Sequence, residues 1–199
     1  LVFNINKEDS ALFTQYHSNV VTVPHWSKFE PSSETVEKNP NMILFVGRID
    51  ETNKGYEHVF HLPEGKYEIH CVGRGDIPLR SDMTRHYNIS DDELKKLYMQ
   101  ASLLAVPSRY EAFSYVSIEA LMCNTPIVIS NRVRIGDYLE GMEGVGVFQY
   151  RDYEDFEYKV EHTIGKKVDT VKVRELFNPE RIKQIYKEAY KQVYAKYNK

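Results

Sequence analysis

Leu103-Leu-Ala-Val-Pro-Ser-Arg-Tyr-Glu-Ala-Phe-Ser-Tyr-Val-Ser-Ile-Glu-Ala-Leu121 is a stretch whose hydrophobic pattern changes in the middle. Residues 103–108 are a short apolar run of strand length, and residues 115–122 have the apolar spacing of a helix. The connection between them contains Glu111, and Glu119 follows about one turn inside the helix. A buried strand that leads through a short loop into a helix predicts one unit of a parallel α/β sheet.

The same alternation continues on both sides of this stretch. Apolar runs of strand length lie at residues 41–47, 66–73, 102–108, 125–130 and 144–149. Helical patterns lie between or after them, at residues 55–62, 91–101, 115–123, 152–164 and 178–197. Ser90 and Glu93 have the spacing of a capping box at the start of the second helix. Because the strands are nearly all apolar, the sequence predicts an α/β fold in which a parallel sheet carries helices on both faces.

The first 40 residues have a different organisation. Residues 1–26 predict a short strand at 1–4, a helix at 7–16 and a second strand at 20–24. Residues 27–40 are polar and contain prolines, as a link between two domains often does. We therefore expect a separate segment of residues 1–26, a link of residues 27–40, and a domain of residues 41–199 that includes the C-terminal helix.

Composition argues against several function classes. The formal net charge of −3 does not favour nucleic-acid binding, and no apolar run approaches the roughly 20 residues of a membrane-spanning helix. The seven histidines lack the spacing of a metal site. Cys71 and Cys123 lie in apolar patterns and are expected to be free thiols of a reducing, cytoplasmic compartment. We expect no nucleic-acid partner and no metal ion.

Glycine and basic residues follow the first predicted strand of the domain. Gly47-Arg48 ends that strand, and Lys54-Gly55 opens the next helix after a short loop. In open α/β sheets, ligands bind at the carboxyl ends of the strands. Arginine and lysine beside a helix amino terminus neutralise a phosphate group well. The pattern therefore predicts a site for a phosphorylated ligand at this edge of the sheet.

The second strand ends in a similar way, with Gly73-Arg74-Gly75. No third glycine opens a helix there, so the pattern fails the fingerprint of dinucleotide binding. Glu111 and Glu119 lie at the strand-to-helix junction of a neighbouring unit. Carboxylates accept hydrogen bonds from paired hydroxyls, so these two side chains suit a sugar or a ribose.

In order and spacing, these features resemble the C-terminal half of GT-B glycosyltransferases of family 4. The features are Gly47-Arg48, Lys54-Gly55, Gly73-x-Gly75, the run of residues 89–98, and the stretch from Glu111 to Glu119 followed by Thr125-Pro126. The most specific part is the pair of glutamates, which in that family marks retaining enzymes that use a nucleotide-diphosphate sugar. The resemblance covers residues 41–199 and implies a Rossmann-like, nucleotide-sugar-binding domain. Residues 1–26 resemble the last strand, helix and strand of the family's amino-terminal domain, of which they would be a remnant.

The resemblance implies a role for each part of the site. Arg48, Lys54 and Glu111 are the expected catalytic residues: the two cations hold the β-phosphate of the donor, and Glu111 binds the transferred sugar. The expected nucleotide-sugar-binding residues are Gly47, Gly73, Tyr87, Asn88, Ile89, Phe113, Ser114, Tyr115, Val116 and Glu119. Among them, Glu119 binds the ribose, residues 87–89 meet the base, and residues 113–116 act through backbone N–H groups. The cations balance the charge of the leaving diphosphate, so no cofactor is implied.

The chain departs from the family pattern at four places, one of which is an extra residue between Arg48 and Lys54. Ala112-Phe113-Ser114 stands where Gly-Phe-Gly is usual, and Asn124 stands where glycine is usual. Residues 134–137, Arg-Ile-Gly-Asp, replace the usual Gly-x-Pro-Glu. These changes add bulk near the sugar, so they bear on the identity of the sugar more than on diphosphate binding.

The resemblance implies transfer of a hexosyl or N-acetylhexosaminyl group to a polysaccharide, glycolipid or glycoprotein acceptor. A second domain would bind the acceptor, so these residues alone are expected to be inactive. Peripheral association of a longer protein with the inner face of the membrane stays open. Two alternatives also stay open. A sugar-nucleotide epimerase of the same architecture would need acid–base side chains that we do not identify, and a non-catalytic nucleotide-sugar-binding module would be expected to lose the cations.

Overall fold

A computed structural model describes residues 1–27, 29, 36–49, 52–76 and 78–197. The strands of this described part are β1 (Val2–Asn4), β2 (Val20–Thr22), β3 (Met42–Val46), β4 (Glu68–Val72), β5 (Met83–His86), β6 (Leu103–Val106), β7 (Ile127–Ser130) and β8 (Val145–Phe148). The helices are α1 (Lys7–Phe13), α2 (Tyr56–Phe60), α3 (Asp91–Gln100), α4 (Tyr115–Met122), α5 (Tyr153–Thr163), α6 (Thr170–Leu176) and α7 (Pro179–Tyr197). Short 3-10 helices lie at Thr52–Lys54 and Arg134–Tyr138.

Six strands form one parallel sheet, in the order β5-β4-β3-β6-β7-β8. The central strand β3 pairs with β4 through Met42 and Glu68, and with β6 through Ile43 and Leu103. Because all neighbours are parallel, the carboxyl ends of the strands meet at one edge. The predicted α/β fold with a parallel sheet is confirmed.

The sheet is buried on both faces, which explains its nearly continuous apolar strands. Alternate residues of β3 point to opposite sides: Leu44 joins the core beneath α3 and α4, and Phe45 joins the core beneath α2 and α5. The first core includes Ile118 of α4, and the second includes Phe156 of α5, both almost inaccessible to solvent. Two separate hydrophobic cores therefore hold the sheet between its helices.

Helix α3 has defined caps at both ends. At its amino terminus, Ser90 and Glu93 form the predicted capping box: the Ser90 hydroxyl accepts from the Glu93 N–H at 3.2 Å, and the Glu93 carboxylate accepts from the Ser90 N–H at 2.8 Å. At its carboxyl end, the Lys38 ammonium donates to the carbonyl oxygens of Met99 at 3.2 Å and Ala101 at 2.8 Å. Burial lowers the pKa of Lys38 to about 8. The link residue Lys38 is thus fastened to the main domain.

Near the amino terminus, β1 and β2 make a two-stranded parallel sheet, separate from the six-stranded one, with α1 as the connection. This unit packs on the rest of the chain. The Tyr138 hydroxyl donates to the Ile5 carbonyl oxygen at 2.9 Å, and the Phe3 ring lies 4.6 Å from the Tyr186 ring and 5.4 Å from the Tyr190 ring. The predicted link of residues 27–40 is described only in part, since residues 28 and 30–35 lie outside the described ranges.

Several elements differ from the sequence-based expectation. Strand β5 and helix α6 were not predicted, and most predicted helices are shorter than expected, as at α1, which ends at Phe13 rather than at residue 16. Cys71 and Cys123 are free and buried, as expected. Within the part of the chain that the structure describes, no helix has the length and apolar character needed to cross a membrane.

Candidate functional site

The loops at the carboxyl edge of the sheet approach one another through their backbones. Gly73, after β4, has a φ of +139°, and a Cβ on it would lie 2.1 Å from the Gly47 carbonyl oxygen after β3. Gly55 has a φ of +66°, and a Cβ there would lie 1.9 Å from the carbonyl oxygen of Pro107 after β6. Real Cβ atoms do not come so close to backbone oxygens. Glycine is therefore required at both positions, and it allows three loops to meet at one place.

Lys54 and Glu111 are brought together at this meeting point. The Lys54 ammonium lies 2.8 Å from Glu111 Oε1, and the same oxygen accepts from the Ser108 hydroxyl at 2.6 Å. Gly47 lies beside the pair, since a Cβ at that position would be 3.5 Å from Lys54 Cδ. Only 31% of the Lys54 side chain and 11% of the Glu111 side chain are exposed. The structure thus places a partly buried ion pair next to the end of β3.

The backbone of Glu111 is fixed as well as its side chain. Its N–H donates to the Arg132 carbonyl oxygen at 3.2 Å, and its carbonyl accepts from the Arg134 N–H at 2.9 Å. These bonds tie the loop before α4 to the loop after β7. Arg48, the second predicted cation, is exposed and follows Gly47 in the loop after β3.

Glu119 lies in a different environment, at the wall of a cavity. Its Oε2 accepts from the Tyr98 hydroxyl at 3.1 Å, and its Oε1 accepts from the Ser27 hydroxyl at 3.3 Å. Burial raises the pKa of Glu119, and the two hydrogen bonds oppose that shift. The carboxylate is therefore partly desolvated and oriented by two hydroxyl groups.

The cavity has a volume of about 700 Å³ and is lined by His25, Trp26, Ser27, Phe29, Asp91, Asp92, Leu94, Lys95, Tyr115 and Glu119. Small-molecule sites in proteins commonly enclose about 300–1,000 Å³. Lys54 and Glu111 are not among these lining residues. The ion pair and the cavity are instead connected through the loop before α4 and the first turn of that helix.

In the chain, the amino terminus of α4 lies between Glu111 of the ion pair and Glu119 of the cavity wall. Its N-cap residue, Ser114, makes no side-chain hydrogen bond to the helix backbone, and its hydroxyl instead accepts from the Ser117 hydroxyl at 2.8 Å. The first turn contains no acidic residue. The first N–H groups of the helix, including those of Tyr115 and Val116, therefore have no side-chain cap, a state that suits an anion or a hydroxyl oxygen.

Aromatic rings surround this helix terminus. The Phe113 ring contacts the Tyr115 ring edge-on at 5.8 Å, and the His25 ring stacks on Tyr115 at 5.7 Å with an interplanar angle of 18°. Tyr115 is about half exposed and lines the cavity, whereas Phe113 packs against the core. Burial lowers the pKa of His25.

The predicted base-contacting residues connect β5 to α3. Tyr87 is 57% exposed, Asn88 has a φ of +51°, and Ile89 packs against the core. These three side chains do not line the cavity, but α3, which follows them directly, supplies four residues of its wall. In the described ranges, no group of three or more His, Cys, Asp or Glu side chains converges as metal ligands would.

Sequence reasoning missed three residues that hold the two glutamates: Ser27, Tyr98 and Ser108. Tyr98 lies within the amphipathic pattern of α3, where an aromatic side chain is normally interpreted as core. Its almost complete burial beside a carboxylate could not be read from spacing. Ser108 was included in a predicted strand, and Ser27 in the predicted link.

In sequence, the chain is similar to glycosyltransferases. The sequence model of the family described as "Glycosyl transferases group 1" matches residues 40–166. An uncharacterized glycosyltransferase of Methanocaldococcus jannaschii is 32% identical over 112 residues, which are 48% of this chain and 28% of that protein. The chain thus spans little more than a quarter of the length of this relative.

Two solved structures share the fold of nearly the whole chain. Sucrose-phosphate synthase from Thermosynechococcus elongatus has a TM-score of 0.77 at 23% identity, over 98% of this chain and 58% of that one. Alr3699/HepE of Anabaena, solved in complex with UDP and glucose, has a TM-score of 0.74 at 14% identity, over 98% of this chain and 63% of that one.

Proposed function

Because the chain belongs to the family of group 1 glycosyl transferases, we propose that it is the donor-binding half of a retaining glycosyltransferase. The donor is a nucleotide-diphosphate sugar. A hexosyl or N-acetylhexosaminyl group is transferred from it to a polysaccharide, glycolipid or glycoprotein acceptor, which a second domain binds. The match covers only 28% of the relative from Methanocaldococcus jannaschii.

The observation that carries this proposal is the position of Glu119 in the wall of a cavity large enough for a nucleoside. A carboxylate has about four lone-pair positions. Tyr98 uses one on Oε2, and Ser27 uses one on Oε1, the oxygen that a ribose would take over. A ribose has two adjacent hydroxyl donors. Glu119 therefore has the chemistry and the orientation to hold a ribose, as does the glutamate at the same position of the family pattern.

The ion pair supplies the second part of the proposal. An ammonium group has three N–H donors, and Glu111 engages one of those of Lys54, so the remaining donors can bind the diphosphate. Arg48 lies in the same connection between β3 and α2 as Lys54 and adds a second positive charge. As the bond to the sugar breaks, negative charge grows on the leaving diphosphate, and cations already in place stabilise it. Glu111 accepts hydrogen bonds from the transferred sugar.

The uncapped amino terminus of α4 would contribute to both the diphosphate site at the ion pair and the ribose site in the cavity. Its first N–H groups, at Tyr115 and Val116, follow Glu111 closely in the chain, and Tyr115 lines the cavity. These groups would bind sugar or phosphate oxygens. Gly47 and Gly73 keep the neighbouring loops free of side chains that would obstruct the diphosphate. The proposed reaction uses no cofactor.

Thermal unfolding of the 199-residue chain with UDP, GDP or ADP tests donor binding. A ligand that binds only the folded state at about 100 times its Kd stabilises that state by about 2.7 kcal/mol, which raises the melting temperature. We expect one of the three nucleotides to do so. The double variant Arg48→Ala/Lys54→Ala should lose the shift, and Lys183→Ala, in an exposed ion pair of α7, should keep it. A wild-type chain that responds to none of the nucleotides would contradict the proposal.

Transfer is tested with the full-length protein and radiolabelled sugar nucleotides. A product that keeps the anomeric configuration of the donor supports a retaining transferase. Recovery of an epimerised donor, or binding without any turnover, would overturn the proposed reaction while leaving the donor site in place.

A further inference from the structure

One wall of the cavity is formed by residues that precede the main domain. His25, Trp26, Ser27 and Phe29 line this wall, opposite residues of α3 and α4. All four lie outside residues 40–166, the part that the family model matches. Family membership therefore does not account for what these residues do at the site.

Each of three wall residues makes a defined contact with the opposite side. The His25 ring stacks on Tyr115, and the Ser27 hydroxyl donates to Glu119 at 3.3 Å. The Phe29 ring packs edge-on against the Tyr98 ring, with centroids 5.6 Å apart.

The Ser27 hydroxyl is held in position from its own segment as well. Its oxygen accepts from the Phe29 N–H at 3.0 Å, which directs its single O–H toward Glu119. At 3.3 Å this bond is longer than the roughly 2.5–2.7 Å of a strong hydroxyl-to-carboxylate bond. It links the wall to α4, but a better-placed hydroxyl donor can replace it.

A ribose would donate the same kind of hydrogen bond to the same carboxylate. We propose, on the basis of the donor site proposed above, that the Ser27 hydroxyl occupies the position of a ribose hydroxyl at Glu119. Ser27 and the nucleoside therefore compete for the Glu119 carboxylate. Tyr98 holds the other carboxylate oxygen and does not have to move. Ser27 is thus an affinity-determining residue of the donor site, and binding of the donor detaches the wall segment from α4.

The chain contains a single tryptophan, Trp26, and it lies in this wall next to Ser27. Its fluorescence therefore reports on the wall without any label. We expect titration with the nucleoside diphosphate that binds to change the emission of Trp26, whereas inorganic pyrophosphate, which has no ribose, should leave it unchanged.

The Ser27→Ala variant removes the competing hydroxyl. We expect it to bind the nucleoside diphosphate about three to ten times more tightly than the wild type, and pyrophosphate with unchanged affinity, as measured by calorimetry. Ser27→Thr keeps a hydroxyl and should restore the wild-type affinity. Ser81→Ala is a matched control, because Ser81 also donates to a glutamate, Glu64 at 3.1 Å, but lies outside the cavity.

Unchanged or weaker binding of the nucleoside diphosphate by Ser27→Ala would overturn the competition, and so would binding of it without any change in Trp26 emission. The Glu119→Gln variant separates the two proposals. If the wild type binds and Glu119→Gln binds less well, the donor site stands even where the Ser27 result is negative. If no nucleoside diphosphate binds to the wild type, both proposals fail.

Discussion

Lys54 and Glu111 hold each other in place beside the end of β3. Replacing Lys54 with alanine would leave a mostly buried carboxylate that still accepts a hydrogen bond from the Ser108 hydroxyl. We expect Lys54→Ala to lower the free energy of unfolding by about 1–2 kcal/mol, as measured by urea denaturation. Lys183→Ala removes an exposed pair with Glu180 and should change it by less than about 0.5 kcal/mol. Equal effects of the two variants would mean that Lys54 is solvated like a surface lysine.

His58 is a second buried polar residue, but its role is structural. Its Nε2 accepts from the Arg151 N–H at 3.2 Å, so the other ring nitrogen, Nδ1, carries the proton and donates to the Gly55 carbonyl at 3.1 Å. The rings of Tyr153 and Phe156 enclose it. Burial lowers the pKa of His58, because the neutral ring satisfies both bonds and the charged ring would be desolvated.

This lowered pKa makes stability depend on pH. The unfolded chain binds a proton at His58 more readily than the folded chain, so the stabilisation is complete above the ordinary value of 6.5 and is lost as the pH falls below it, through the folded pKa. The pKa values of His25, His70 and His86 are also lowered by burial and act in the same direction. We expect the melting temperature to fall between pH 7 and pH 5.

The contribution of His58 can be isolated with His58→Phe, which fits the aromatic surroundings and does not titrate. At pH 7.5 this variant should be less stable by about 1–3 kcal/mol, because the Gly55 carbonyl and the Arg151 N–H lose their partner. Its melting temperature should depend less steeply on pH than that of the wild type. An unchanged slope would assign the pH dependence to the other histidines.

The sequence predicted where single site residues lie, but it did not predict which of them contact each other. Residue type and order placed Lys54 and Glu111 at the carboxyl edge, because parallel strands all end there. The sequence could not indicate that the two would pair with each other, or that Ser27 would reach Glu119. Such contacts depend on the relative positions of distant loops, which no local pattern encodes.

Among the elements of the fold, the loops that follow the strands can approach one another closely only because glycine stands at the contact. Gly73→Ala would force a Cβ to within 2.1 Å of the Gly47 carbonyl oxygen, so the loops after β3 and β4 would have to separate. We expect a loss of about 3 kcal/mol in the free energy of unfolding. Gly65→Ala is the matched control, because Gly65 also has a positive φ of +75° but no atom within 4 Å of the added Cβ. It should cost about 1 kcal/mol.

Urea denaturation of both glycine variants measures the difference. If Gly73→Ala and Gly65→Ala cost the same, the close approach of the two loops does not contribute, and only the left-handed backbone does. The nucleotide-induced thermal shift should also be smaller for Gly73→Ala than for Gly65→Ala, since only the former displaces a loop of the proposed donor site.

Elements were predictable where their pattern was strong. The apolar strands β3, β6 and β7 were predicted because burial on both faces leaves little room for polar residues. Strands β4 and β8 were predicted because they are still mostly apolar, although each has an exposed residue. Strand β5 was missed because its sequence, Met-Thr-Arg-His, contains one buried apolar residue, as an edge strand permits. Helix α6 was missed because it is only two turns long and buries a single side chain, that of Val173.

For the molecule as a whole, Asn6 connects the amino-terminal unit to the site. Its side chain is fully buried, caps α1 by accepting from the Asp9 N–H at 2.8 Å, and donates to the Ala112 carbonyl at 3.4 Å, in the loop before α4. We expect Asn6→Ala to lower the free energy of unfolding by about 2 kcal/mol, because it removes a cap and leaves buried groups unpaired.

Asp169→Ala provides the comparison for Asn6. Asp169 caps α6 in the same way, by accepting from the Lys172 N–H at 3.0 Å, but this bond is exposed. Its loss should cost only about 0.5–1 kcal/mol in the same urea experiment. If the two variants are equally destabilised, the contact of Asn6 with Ala112 adds nothing to the cap.

The packing of Phe3 on Tyr186 and Tyr190 brings the first strand beside the last helix. Leu1 and Lys196 even line the same groove. The first strand and the last helix are thus neighbours in space, although nearly all of the sequence lies between them. Closing so long a loop costs the chain conformational entropy, which these aromatic contacts have to offset.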